Sequence, residues 1–179
     1  MRILRLITVL TFLILTACDF NVPLVAEASL PIDQALLGTW EAIPEDRDGQ
    51  EPLERLVIRQ QSANLYEIEF GDEGSHIYFK GWLAELEGIR FMQLECTGDD
   101  KGPVDAKDKR LFSVVSFTLG NGELVVRSLN TDLVSRDLVN TAALQVAFSA
   151  NRDNPILFHK PDQFRRLEER SVDDLETRK

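Results

Sequence analysis

Leu111-Phe112-Ser113-Val114-Val115-Ser116-Phe117-Thr118-Leu119-Gly120-Asn121-Gly122-Glu123-Leu124-Val125-Val126 reads as two strands joined by a tight turn. Asn121-Gly122 suits the two positive-φ positions of a type I′ hairpin, whose backbone twist matches that of the flanking strands. Leu111, Ser113, Val115, Phe117 and Leu119 alternate along one face. Phe112 and Val114 make the other face apolar too, so this strand is expected to be covered on both sides.

Similar runs recur at close spacing on either side of the hairpin. Tyr66, Ile68 and Phe70 alternate with Glu67 and Glu69, the period of a half-buried strand. Strands are expected at 36–43, 53–59, 64–70, 76–85, 89–96, 111–119 and 123–128, with hairpin turns at Gly71-Asp72-Glu73-Gly74 and Glu87-Gly88 and a solvated loop over 97–110. Many short strands separated by turn residues indicate an antiparallel sandwich or barrel. Beyond Leu129 the period lengthens, and Asn130 or Thr131 is placed to cap a short helix carrying Leu133, Val134, Leu138 and Val139. Leu144, Val146 and Phe148 alternate as in a strand, residues 156–159 form another short one, and Pro161 is placed to start a final helix burying Phe164 and Leu167. The tail, 169–179, is charged.

Composition, with 44% hydrophobic and 28% charged residues, is that of one folded domain. The formal charge of −10, without a Lys/Arg stripe, disfavours nucleic acid and anionic lipid headgroups as partners. Catalytic constellations are absent. His76 and His159 lie on separate runs without zinc or triad spacing and read as edge or surface residues. Asp46-Arg47-Asp48-Gly49 fails the calcium-loop pattern, which would place Pro44 first and Arg55 last. Lys101, Lys107 and Lys109 weaken any cation field from Asp99, Asp100 and Asp105. No metal, cofactor or enzymatic activity is expected.

Leu15-Thr16-Ala17-Cys18, behind an apolar stretch that follows Met1, Arg2 and Arg5, resembles the lipobox of a bacterial lipoprotein signal peptide. The stretch is shorter than the ~20 residues a spanning helix needs. The resemblance implies removal of 1–17 as signal peptide and acylation of Cys18, giving a protein anchored by lipid in the cell envelope with its domain outside the cytoplasm. Loss of Arg2 and Arg5 takes the charge to −12. Asp19 resembles the inner-membrane retention signal of enterobacterial lipoproteins. Residues 18–33, with Pro23 and Pro31 and no sustained period, are expected to form a tether. With Cys18 carrying lipid, Cys96 is left alone and reads as a small buried hydrophobe.

Gly38-Thr39-Trp40, at the start of the first strand, is similar to the G-x-W motif that opens lipocalins and related calycins. The resemblance implies that 34–168 form an all-β, antiparallel eight-stranded lipocalin-like barrel, with a short helix before the last strands and a C-terminal helix. It also implies that Trp40 plugs one end, with Arg165 or Arg166 across it. The later Thr-Asp-Tyr motif is not matched, since Leu133 follows Thr131-Asp132. Such a barrel is filled by side chains or holds one small ligand. Trp40, Tyr66, Ile68, Phe70, Phe79, Leu83, Phe91, Val115 and Phe117 are expected to face inward, with Trp40, Tyr66, Phe79, Phe91 and Phe117 as candidate ligand contacts. Two functions follow: a lipid-anchored binding domain for a small apolar or amphipathic ligand, or a filled structural or regulatory barrel that meets an envelope protein. For the second, Phe112, Val114 and the Asp-rich loop before them are expected to form the exposed patch.

Overall fold

The computed structural model describes residues 18–44, 52–105 and 107–168. The signal-peptide stretch 1–17, the acidic turn 46–49 and the tail 169–179 lie outside the described residues. The described strands are β1 (Gly38–Ala42), β2 (Arg55–Gln60), β3 (Tyr66–Asp72), β4 (Ser75–Leu86), β5 (Ile89–Asp99), β6 (Gly102–Pro103), β7 (Phe112–Gly120), β8 (Glu123–Ser128) and β9 (Asp162–Arg166). A 3-10 turn, Gln34–Leu36, precedes β1, and one α-helix, α1 (Thr141–Ala150), lies between β8 and β9.

Eight strands close into an antiparallel barrel in the order β1-β2-β3-β4-β5-β7-β8-β9 and back to β1, while β6 is an outer strand on β5. Closure removes the exposed edges that would invite aggregation. The hairpin between β7 and β8 turns at Asn121 (φ 55°) and Gly122 (φ 79°), with Gly120 opposite Glu123. These are the type I′ positions expected from sequence. One end of the barrel holds Leu36, the start of β1 and the turns at 61–65, 87–88 and 121–122. The other, the mouth, carries the turn at 73–74 and the loop that leads from β6 into β7 at Phe112.

Four expectations are corrected. Residues 162–166 form a strand rather than a helix. Phe164 is buried in the barrel, Arg165 projects outward to pair with Glu41, and β9 supplies the pairing that β1 and β8 would otherwise lack. Closure overrides local preference here. Residues 130–139 make turns, held by Leu133 and Val134 N–H donating to the Asn130 carbonyl. The helix lies one segment later, where Leu144, Val146 and Phe148 had suggested a strand. Asn140 caps it, its Oδ1 accepting from Ala143 N–H at 2.8 Å, and Ala142, Ala143, Ala147 and Ala150 favour it. Leu144 and Phe148 are buried at i, i+4 spacing while Val146 is 71% exposed. The expected solvated loop at 97–110 is partly sheet, since β5 runs on to Asp99 and pairs with β6.

The largest correction concerns 18–33, which are not a tether. Phe20 and Leu24 are fully buried in a second core outside the barrel, with Ala84, Phe91, Val114, Leu129, Val134, Leu144, Phe148 and Leu157. Burying residues such as Phe20 and Leu24 contributes roughly 1.5–3 kcal/mol each. The segment crosses the barrel as a strap. Phe20 exchanges backbone hydrogen bonds with Phe112 (2.9 and 3.1 Å), Leu24 N–H donates to Gln93 Oε1 (2.8 Å), and Ser29 and Leu30 N–H reach the Leu83 carbonyl (3.1 and 3.2 Å). From α1, Thr141 Oγ1 and Gln145 Nε2 hold the carbonyls of Pro23 and Leu24, each at 2.9 Å. Phe112 and Val114 therefore lie in this second core and are not an exposed patch. Among the described residues the exposed large apolar ones are Leu119, Val139, Val146 and Ile156, three of them before, on and after α1.

Candidate functional site: the barrel interior and the seat of Cys18

Trp40 is fully buried at the end opposite the mouth. Its Nε1–H donates to the Leu36 carbonyl at 3.0 Å. The Arg166 guanidinium lies 4.2 Å from the Trp40 ring centroid and donates to the carbonyls of Leu37 (2.7 Å) and Ala35 (2.5 Å). Of the two arginines expected across Trp40, Arg166 takes the position, while Arg165 pairs with Glu41 on the outside. The cation thus caps the ring and satisfies the carbonyls of the turn that closes the barrel. Gly38, at φ 131°, leaves space for it: a Cβ there would meet Arg166 Nη1 at 2.6 Å. Tyr66 completes the plug, its hydroxyl accepting from Asp33 N–H, and burial pushes its phenol up.

Trp40, Tyr66, Phe79 and, half-buried, Phe117 meet in the interior with Ile68, Phe70, Leu83 and Val115. Phe91 does not. It points outward into the second core, 5.7 Å centroid to centroid from Phe148, and Met92 takes the inward place beside it. The inner cavity is about 40 Å³, walled by apolar side chains including Leu36, Ile58, Met92, Leu94, Phe117 and Phe164. Small-molecule pockets run to roughly 300–1,000 Å³. Packing is tight beside it: a Cβ on Gly81 would approach Ile68 Cδ1 to 2.8 Å, Met92 Sδ to 3.2 Å and Leu94 Cδ2 to 3.3 Å.

At the mouth, Cys18 and Cys96 lie thiol to thiol, both packed against the inner core and unbridged. The sequence pattern sets them apart, one for lipid and one alone. Their meeting follows from the strap, which no local pattern announced. Burial, then the neighbouring Cys96, pushes the Cys18 thiol up to about 12. Burial likewise raises the Asp19 carboxyl, against the pull of Arg136, His159 and Arg110.

The histidines stay apart. His76 Nδ1 sits 3.2 Å from Asp100 Oδ2, and Tyr78 OH donates to Asp100 Oδ1 at 3.0 Å. His159 N–H donates to the Ser128 carbonyl at 2.9 Å. Among the described residues no three His, Cys, Asp or Glu side chains gather as metal ligands.

No protein-family description, curated protein or solved structure matches the chain.

Proposed function

We propose that the protein is a lipocalin-like envelope lipoprotein, acylated on Cys18, that acts without catalysis through the outside of a filled barrel, as a structural or regulatory partner of another envelope protein. The Gly38-Trp40 pair with Arg166 across the indole supports the lipocalin-like assignment, and the lipobox supports the anchor. The observation that carries the surface reading is the interior. A cavity of about 40 Å³ is on the scale of water, and an apolar void of that kind stays dry. Of the residues expected to hold a ligand, Trp40, Tyr66, Phe79 and Phe117 instead belong to one packed cluster. The exposed apolar residues Val139, Val146 and Ile156 around α1 give the outer surface its candidate contacts.

Native mass spectrometry of the full protein, extracted gently from membranes, tests this against an apolar cargo in the barrel. The expected spectrum shows the polypeptide with its covalent acyl groups and no further adduct. A discrete noncovalent adduct, lost in Phe79→Ala and kept in Val146→Ser, would overturn the filled-barrel reading. A mass showing Cys18 unmodified would overturn the anchor.

A further inference from the structure

We infer that the barrel sits on the bilayer mouth-down, with the end that carries Cys18 and Phe112 against the lipid headgroups. The inference rests on the acylation of Cys18 proposed above and adds an orientation that acylation alone does not give. A tether of 16 residues would let the domain tumble some 50 Å from the membrane at about 3.3 Å per extended residue. The strap leaves no such freedom. Phe20, two residues after the anchor position, is fully buried and hydrogen-bonded in both directions to Phe112. Cys18 itself is half-buried at the mouth beside Cys96. Two residues reach only about 7 Å, so the lipid must leave the protein at the mouth.

That end is itself tied to the strap. The loop entering β7 carries Lys107, Lys109 and Arg110 beside Asp105 and Asp108, and Glu54, Asp72, Glu73, Asp99 and Asp100 lie at the same end. The loop is fixed to the strap, with Arg110 N–H donating to Asn21 Oδ1 at 3.0 Å, and Arg110 Nη2 reaches Asp137 at 3.3 Å. The loop therefore stands next to the point where the acyl chains emerge. From Phe112, β7 runs nine residues away from the mouth to Gly120, about 25–30 Å along the strand. The turn at 121–122 is then at the far end from the bilayer.

The test places a thiol-reactive fluorophore on Asp108→Cys or on Glu123→Cys, each in the acylated full protein carrying Cys96→Ser. The protein is reconstituted in vesicles of phosphatidylcholine and phosphatidylglycerol whose headgroups bear a nitroxide quencher. The label at 108 is expected to be quenched several-fold more than that at 123. Inserting a flexible Gly/Ser linker between Asp19 and Phe20 is expected to bring both to the same low level. Equal quenching without the linker overturns the orientation while leaving the anchor intact, and a difference that survives the linker overturns the strap as its cause. Failure of the acylated protein to float with the vesicles overturns both.

Discussion

The inner and outer cores bury similar residues in different ways. Inside the barrel, neighbours come from strands paired in register: Trp40 lies opposite Leu56, Leu56 opposite Phe70, and Phe70 opposite Ile77. Outside, Phe20 and Leu24 meet Val114, Leu144 and Phe148 through a strap and a helix, joined by hydrogen bonds spanning 69 to 121 positions of sequence. Strand alternation writes the first core into the chain as a local period. The second is a matter of where irregular segments happen to lie, so no short window contains it.

Breaking the two cores is expected to give different signatures. Trp40→Ala removes the largest inner side chain and leaves Arg166 without its ring. It is expected to cost about 3–5 kcal/mol, seen as a cooperative fall in the thermal midpoint of the whole domain. Gln93→Leu attacks the outer core at a fully buried polar side chain. Gln93 Oε1 accepts from Leu24 N–H at 2.8 Å while Nε2 donates to the Ser113 carbonyl at 3.0 Å. Leaving those backbone groups unpaired is expected to cost about 1–3 kcal/mol. Amide exchange is expected to speed up over 20–30 with little change in β1 to β3. Uniform acceleration across the barrel would mean that the two cores are one cooperative unit.

The smallest effect is a pH dependence confined to the strap. Burial raises the folded-state pKa of Asp19 above its unfolded value, so the native state binds that proton more tightly. Strap docking is then strongest below the ordinary carboxylate range and weakens as pH rises through the raised value. Asp19→Asn is expected to abolish that step, read as amide exchange at Phe20 and Leu24 against pH. Asp100 runs the other way. The His76 N–H and Tyr78 hydroxyl hold its carboxyl below the usual range, so its contribution is present above the unfolded value and lost as pH falls. An Asp19→Asn protein with unchanged pH dependence at the strap would place the burial cost elsewhere.

The barrel was legible because its strands carry a period of two and its turns carry Asn-Gly and Glu-Gly pairs. The plug was legible as far as Trp40, with the choice between Arg165 and Arg166 left to the sheet. Elsewhere, period alone was ambiguous. Leu144 and Phe148 satisfy both a strand and a helix, and only the exposure of Val146 separates them. Phe91 and Met92 are adjacent apolar residues on a strand covered on both sides, so alternation could not say which faced in. Residues 162–166 became a strand because β1 and β8 needed a partner, a demand that no local window expresses. The strap was hidden for the same reason, and with it the meeting of Cys18 and Cys96.

The pairing of β1 with β9 also sets the order in which the molecule can be completed. Trp40 waits for Arg166, its partner across the seam, which lies more than a hundred residues later in the chain. A ribosome has made every other described strand before the closing one appears. Contacts of that sequence separation form slowly, because the loop must close before any of its pairings are gained. A nascent chain without β9 has two open edges and no barrel. The same seam that seals the finished domain therefore keeps the growing polypeptide unclosed until its last described strand is made.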